Sequence, residues 1–225
     1  LSNPPKHDTS AILAVDLTKA CDNVSHRAIL DNLNSLQVGE RCYRYIQAFL
    51  TNRTATLRLG HLTSPQFPLP AKGTPQGSIL SPTLFNIALI PLARALLQIP
   101  TLHSGLYADD ITLWIDKGSD AEIEATLQSG VEAMIEAAGK AGLTCSPEKS
   151  QLLLLPPKAQ ISSSPNIHIH MQGDPIPKVQ IIKILGLTIQ HKRSNTHFIN
   201  QLEQHATRTI GLIRRVSNRE RPQRG

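Results

Sequence analysis

The hydrophobic pattern at the beginning of the chain predicts a strand followed by a helix. Residues 11–15 form an uninterrupted apolar run that ends at Asp16, as expected for a buried central strand with a carboxylate at its carboxyl end. Ser25 precedes a stretch in which apolar residues recur at helical spacing through residues 29–36. We therefore predict an amphipathic helix that has Ser25 as its N-cap.

A loop rich in glycine and proline and a short hairpin are predicted in the middle of the chain. Residues 72–82 contain two glycines and two prolines, and Ser81 is predicted to cap the helix that follows. Residues 103–115 consist of two β-favouring runs around Asp109 and Asp110, which predicts a hairpin with both acids at its turn. Adjacent acids at a turn are often only solvated turn residues, whereas buried carboxylates need a cation or hydrogen bonds to compensate them.

The pattern after the hairpin predicts a long helix and several strands. Ser119 and Glu122 have the spacing of a capping box ahead of a long apolar stripe, which predicts the start of that helix. Residues 143–150 are predicted to form a loop or a short strand, followed by a strand at residues 152–155. A linker rich in proline and serine follows at residues 156–165.

The composition favours a globular α/β protein of the cell interior. Of the 225 residues, 40% are apolar and 4% are aromatic, which is typical of a folded chain and not of a disordered one. No apolar run approaches the length that spans a membrane. The three cysteines lack a CxxC spacing, which argues against a disulfide framework or a zinc site. They indicate a reducing compartment, and we expect the nucleus or the cytoplasm.

The formal net charge of +6 resides entirely in the last part of the chain. Residues 191–225 contain eight Lys or Arg and two Glu, whereas basic and acidic residues balance in the rest. The pattern of residues 195–217 predicts an amphipathic helix with apolar residues inside and arginines outside. Such a basic face is either simply solvated or, beside a site that handles a polymer, able to bind phosphates.

Asp16 and Asp109 each stand at the end of an apolar run, 93 residues apart. A sheet that places the two predicted strands side by side brings these carboxylates together. Clustered carboxylates repel each other unless a cation lies among them, and their hard oxygen atoms suit Mg²⁺ or Mn²⁺. Two such ions can activate an attacking hydroxyl and stabilise a departing phosphate, which is the chemistry of nucleotide polymerisation.

Three segments, in their order and spacing, resemble motifs A, B and C of the reverse transcriptases of non-LTR (LINE-type) retrotransposons. They are residues 15–26, 73–86 and 107–110. Residues 142–149 and 184–187 resemble motifs D and E of that family. The resemblance implies an α+β fold, the palm of a right-hand polymerase, in which helices back an antiparallel sheet. It implies a palm at residues 1–190 and the start of a basic, helical thumb at residues 191–225.

By this resemblance the chain is an RNA-directed DNA polymerase that uses two Mg²⁺ or Mn²⁺ ions, an RNA template, a DNA primer and deoxynucleoside triphosphates. The implied metal ligands are Asp16, Asp109 and Asp110. The implied contacts to the nucleotide, the template or the primer end are Cys21, Gln76, Gly77 and Tyr107. The arginines expected to follow the template backbone include Arg208, Arg214 and Arg215.

Lys149 is the implied proton donor to the departing pyrophosphate. An ammonium group suits this role because negative charge develops on the leaving group. A plain surface lysine is an equally good interpretation, since a sequence does not show where the side chain points.

Two departures from the family pattern bear on activity. Five residues after Asp16 the family usually carries Phe or Tyr, whose ring blocks the ribose 2′-hydroxyl, whereas Cys21 stands there in this chain. The smaller side chain predicts weaker exclusion of ribonucleotides. The chain also begins only fifteen residues before Asp16, so the fingers that grip the triphosphate in the family are expected to be missing.

Two other functions are compatible with these residues. One is a truncated, inactive element remnant that at most binds nucleic acid through its basic tail, and the other, raised by Cys21, is an RNA-templated RNA polymerase. The presence of all three acids favours an enzyme over a remnant. His168 and His170 share a predicted strand face and could bind a metal, although solvated strand histidines are the commoner case.

Overall fold

A computed structural model describes residues 9–156, 165–191 and 196–219 of the chain. Its helices are α1 (Ala20–Asn23), α2 (His26–Ser35), α3 (Glu40–Leu50), α4 (Ser81–Leu97), α5 (Asp120–Lys140) and α6 (Thr196–Arg219). Its strands are β1 (Thr9–Leu17), β2 (Thr54–Ala55), β3 (Arg58–Leu59), β4 (Leu62–Thr63), β5 (Phe67–Pro68), β6 (His103–Tyr107), β7 (Asp110–Gly118), β8 (Cys145–Leu155), β9 (His170–Met171), β10 (Asp174–Pro175), β11 (Lys178–Val179), β12 (Ile181–Ile184) and β13 (Leu187–Gln190). Most of the predicted linker at residues 156–165 lies outside the described residues.

Five strands form the central sheet in the order β11, β8, β1, β7 and β6. β1 lies in the middle and pairs antiparallel with β7 and β8, which confirms the predicted central strand. β6 also pairs antiparallel with β7, but the edge strand β11 runs parallel to β8. The sheet is therefore mixed, and the prediction of an antiparallel sheet is wrong at this edge. The connection between β8 and β11 is long enough for the crossover that a parallel pair requires.

The two faces of β1 differ in burial. Ala11, Leu13 and Val15 are at most 3% exposed and belong to a core that also contains the buried residues of α2, α4 and α5. Because side chains alternate along a strand, Asp16 lies on the other face, which is only partly buried. The helices therefore cover one side of the sheet and leave the side that carries Asp16 accessible.

Local capping signals determine where two of the core helices begin. The Ser25 hydroxyl accepts a hydrogen bond from the amide of Ala28 at 3.4 Å, which confirms Ser25 as the N-cap of α2. Ser119 and Glu122 form the predicted capping box at the start of α5. Both caps orient helices whose apolar faces pack on the sheet.

The start of α4 differs from the prediction by one residue. Leu80 is the N-cap, and Ser81 is the first helical residue. The Ser81 hydroxyl does not cap the helix but donates a hydrogen bond to the carbonyl oxygen of Pro75 at 2.6 Å. Ser81 therefore connects α4 to the preceding loop.

β8 is one long strand rather than the predicted loop followed by a separate strand. Its pairing with β1 passes from Asp16 opposite Ser146 to Ala14 opposite Gln151, so β8 has three more residues than β1 in this interval. These residues form a bulge, and bulges redirect the side chains that they carry. Lys149 lies in this bulge.

Four apolar residues of α6 whose side chains are described are exposed, although the helix itself was predicted from its periodicity. Ile199, Leu202, Ile210 and Ile213 are 49–62% exposed, so the prediction that they lie inside is wrong. Periodicity shows which residues share a helix face but not whether another element covers that face. Among the described helices, none is long and apolar enough to cross a membrane.

Candidate active site

The sheet places Asp16 and Asp110 directly opposite each other. The register pairs Asp16 of β1 with Asp110 of β7, and residues paired in this way point to the same face. Ala108 and Asp109 form the two-residue turn between β6 and β7, in which Ala108 adopts the left-handed conformation with φ of 51°. The predicted hairpin is therefore confirmed, but Asp110 belongs to the strand and not to the turn.

Asp16 has a buried carboxylate oxygen that forms no hydrogen bond. The ammonium of Lys149 lies 3.6 Å from this Oδ2 atom and is its ion-pair partner. The bulge in β8 allows Lys149 to approach Asp16. The ion pair is too long for a hydrogen bond, so Oδ2 keeps the capacity to coordinate a cation.

The donor groups at this end of the sheet fit a divalent metal ion. Mg²⁺ is usually held by one or two carboxylates, with substrate phosphates and water as the other ligands. Asp16 and Asp110 supply such carboxylates, and Oδ2 of Asp16 lacks a hydrogen bond. Within the described ranges, no three His, Cys, Asp or Glu side chains are grouped closely enough to hold a metal. A divalent ion bound at these carboxylates would need further ligands besides the described side chains, such as substrate phosphates and water.

The glycine-rich loop is attached to the turn that follows Asp16. The amides of Gly73 and Thr74 donate hydrogen bonds to the carbonyl oxygens of Val24 and Cys21, at 2.7 and 2.8 Å. Gly73 has a φ of 79°, and a Cβ atom there would lie 2.8 Å from the carbonyl oxygen of Asp22. Glycine is required at this position because both the conformation and the close approach exclude a side chain.

Replacing Gly73 with alanine is expected to lower the free energy of unfolding by about 3 kcal/mol, from left-handed strain and overpacking together. Gly60→Ala is the matched control, because Gly60 has a φ of 59° and nothing within 4 Å of its Cβ position. Strain alone should cost that control about 1 kcal/mol. Urea unfolding measures the free energy of unfolding of both variants. Equal decreases in the two variants would show that the close contact with Asp22 does not destabilise Gly73→Ala.

The three predicted motifs meet at a cleft of about 650 Å³. Its lining includes Cys21 from α1, Gln76 and Gly77 from the loop, and Tyr107 and Ala108 from the hairpin. The four residues predicted to contact nucleotide, template or primer therefore share one cleft, beside the turn that carries Asp109. A cleft of this size accommodates a molecule as large as a nucleotide.

Negative charge surrounds the thiol in the cleft. Burial raises the pKa of Cys21, and the carboxylates of Asp109 and Asp22 raise it further. The thiol is therefore neutral at physiological pH, and Asp109 lies near enough to the cleft to act on it. The side-chain amide of Gln76 donates a hydrogen bond to the Asp22 carboxylate at 2.9 Å, which is a further connection between the loop and α1.

Sequence reasoning assigned no role to several residues at this site. Thr74 and Phe85 line the cleft, and Asp22 accepts the hydrogen bond from Gln76. His26 is buried and contacts the glycine-rich loop. Asp22 and His26 lie within residues 15–26, the segment that resembles motif A, and this position in the sequence could have indicated that they belong to the site.

Other predicted site residues lie elsewhere. Arg208 is exposed on α6, and the side chains of Arg214 and Arg215 lie outside the described part of the chain. His168 is exposed and forms a hydrogen bond with Asn166 at 3.0 Å. Neither His168 nor His170 belongs to a group of metal-binding side chains among the described residues.

Comparison with known proteins decides the family. Residues 3–189 match the family model described as reverse transcriptase (RNA-dependent DNA polymerase). The chain belongs to the reverse transcriptase family. The fold of this reverse transcriptase domain is accordingly a polymerase palm, built here on a mixed sheet backed by helices.

Several relatives of this reverse transcriptase domain are proteins of non-LTR retrotransposons. It is 31% identical over 205 residues to a 115 kDa protein in the type-1 retrotransposable element R1DM of Drosophila melanogaster, covering 90% of this chain and 19% of that protein. It is 30% identical over 135 residues to the retrovirus-related Pol polyprotein from the type-1 retrotransposable element R2 of Popillia japonica, covering 56% and 19%. It is 25% identical over 194 residues to the RNA-directed DNA polymerase from mobile element jockey of Drosophila melanogaster, covering 84% and 20%. The chain spans about a fifth of the length of these relatives.

Proposed function

We propose that this chain is the palm of an RNA-directed DNA polymerase from a LINE-like retrotransposon. It would add deoxynucleotides to the 3′-hydroxyl of a DNA primer on an RNA template. The observation that carries the proposal is the meeting of the motifs at one end of the sheet, where the paired Asp16 and Asp110 adjoin the turn with Asp109 and the nucleotide-sized cleft. The family of the chain and the activity in the name of its jockey relative support the same reaction.

Asp16, Asp109 and Asp110 would hold two Mg²⁺ or Mn²⁺ ions. Carboxylate oxygens suit these hard cations, and the Asp16 oxygen without a hydrogen bond supports the assignment. Bound ions of this kind activate an attacking hydroxyl and stabilise the negative charge on a departing phosphate. The chain itself would hold the carboxylates on two paired strands and the adjoining turn, and would thereby orient the primer end towards the nucleotide.

The cleft would hold the incoming nucleotide beside the acids. Cys21 would face the sugar, and Gln76 and Gly77 would contact the base and the template. Gly77 has a φ of 82° and open space around its Cβ position, so a ligand can approach its backbone closely. Tyr107 is 66% exposed at the hairpin, where its ring can support the primer end by stacking.

Lys149 would donate a proton to the departing pyrophosphate. Its ammonium lies 3.6 Å from the Asp16 carboxylate, so the side chain points towards the acids rather than away from the site. This position supports the role of proton donor over that of a plain surface lysine.

Replacing Lys149 with methionine is expected to lower the kcat of primer extension about a hundredfold, because a general acid contributes on that scale. The affinity for the primer and template should change little. Lys140→Met is the control, because Lys140 is an exposed lysine that pairs with Glu136 on α5. Single-nucleotide extension measures both variants, and an unchanged kcat in Lys149→Met would mean that this lysine only pairs with Asp16.

The palm would work together with fingers and a thumb, of which α6 would be the first helix. Arg208, Arg214 and Arg215 would bind the phosphates of the template. The exposed apolar residues of α6 and the position of Arg208 on its surface support a helix that packs against further thumb segments while contacting a polyanion.

Primer extension by the full 225-residue chain tests the proposed function. An RNA template and a DNA primer are incubated with Mg²⁺ or Mn²⁺ and with either deoxynucleotides or ribonucleotides. Extension with deoxynucleotides would support the proposal, and extension with ribonucleotides alone would indicate an RNA-templated RNA polymerase. If no primer is extended but binding falls steeply with salt, the chain is a remnant that binds nucleic acid.

A further inference from the structure

We infer that His26 is a positioning residue that holds the glycine-rich loop against the turn after Asp16 and thereby sets the shape of the nucleotide cleft. The inference rests on the proposed function, because it concerns the cleft assigned to the nucleotide. His26 is the first residue of α2 and is only 5% exposed. It does not line that cleft, so it would act through the loop and not on the substrate.

The hydrogen bond between His26 and the loop is short and buried. Nε2 of His26 lies 2.7 Å from the carbonyl oxygen of Gly73, 47 residues away in sequence. A carbonyl oxygen only accepts, so Nε2 donates. The amide of Gly73 donates in turn to Val24 at 2.7 Å. Both backbone polar groups of Gly73 are therefore held by the segment that contains α1 and the start of α2.

The second ring nitrogen of His26 indicates that the side chain is not there for packing. Nδ1 is buried and has no hydrogen-bond partner. An unsatisfied buried nitrogen is costly, so an apolar side chain of similar size would suit a purely structural position better. The hydrogen bond from Nε2 to Gly73 offsets the free-energy cost of burying this imidazole.

The other side-chain contacts of the loop with this segment are exposed. Lys72 donates to the Asn23 side chain and Gln76 to the Asp22 carboxylate, and all four side chains are accessible to water. Exposed polar contacts contribute less than buried ones because water competes for them. His26 therefore supplies the buried side-chain anchor ahead of Gln76, which lines the cleft.

Trypsin cleavage after Lys72 measures docking of the loop without requiring catalysis. His26→Leu removes the donor and is expected to raise the rate of this cleavage about tenfold, as loss of a buried hydrogen bond predicts. His26→Gln should retain the protection, because its side-chain amide can donate to the same carbonyl oxygen. His168→Leu is the control, since His168 is exposed and far along the chain from the loop.

The KM for the deoxynucleotide in primer extension is the second readout. We expect His26→Leu to raise this KM about tenfold while kcat changes little, because the loop binds the nucleotide but does not carry the acids. His26→Gln should restore the KM of the unmodified chain. If none of the proteins extends a primer, the proposed polymerase function fails for this chain, and the trypsin assay still decides the role of His26.

Three outcomes would overturn the inference. The first is equal cleavage after Lys72 in the unmodified chain and His26→Leu. The second is faster cleavage after Lys140 as well, at the end of α5, which would show that His26 only stabilises the whole fold. The third is a His26→Gln variant as sensitive as His26→Leu, which would show that donation to Gly73 is not what matters.

Discussion

Replacing Asp109 with asparagine is expected to reduce metal-dependent primer extension by more than about a thousandfold, because a metal ligand supplies several kcal/mol of charge stabilisation in the transition state. Asp109 lies in the two-residue turn next to the paired Asp16 and Asp110, and its carboxylate raises the pKa of Cys21 in the cleft. Asparagine has nearly the same shape and suits a turn, so the substitution removes charge with little effect on the fold.

Asp116→Asn is the matched control for that experiment. Asp116 belongs to the same strand as Asp110, but it is exposed and its carboxylate lies 3.4 Å from His103. Both variants should bind primer and template like the unmodified chain, which fluorescence anisotropy would verify. Extension that survives in Asp109→Asn would exclude Asp109 as a ligand and leave Asp16 and Asp110 as the acidic pair.

The sequence predicted those parts of the fold that depend on neighbouring residues. The N-cap at Ser25 and the capping box of Ser119 and Glu122 are satisfied within four residues, so their patterns are complete in the sequence. The parallel pairing of β11 and the bulge of β8 opposite Asp16 depend on a partner strand far away in the chain. The periodicity of a segment does not show which distant strand it pairs with. It also does not show whether another element covers the apolar residues of a helix such as α6.

The composition of the site was predictable, but its internal connections were not. The resemblance to the family's motifs implied Cys21, Gln76 and Tyr107 as site residues, and all three line the cleft. The contacts that fix the loop include the hydrogen bonds of Gly73 with Val24 and His26, and each joins distant parts of the chain. A glycine in the sequence indicates only that the backbone is free to adopt unusual conformations. Gly73 is required because the carbonyl oxygen of Asp22 lies too close for a Cβ atom, and only the folded chain brings the two residues together.

The size of the side chain at position 21 is expected to control the choice of sugar. Replacing Cys21 with phenylalanine should raise the preference for deoxynucleotides over ribonucleotides about a hundredfold, because a clash with a single extra group discriminates on that scale. Cys21 lines the same cleft as Gly77 and Tyr107, and with a sugar bound beside it the small thiol would leave room for a 2′-hydroxyl. A phenyl ring would fill this space, which a deoxyribose does not need.

The ratio of kcat/KM for matched deoxynucleotides and ribonucleotides measures this selectivity. Cys42→Phe is the control, because Cys42 is exposed on α3 and does not line the cleft. The hydrogen bond that Cys21 accepts from the Thr74 amide involves its backbone, so docking of the loop should survive the substitution. An unchanged ratio in Cys21→Phe would mean that position 21 does not face the sugar. Selectivity would then depend on another residue of the cleft lining.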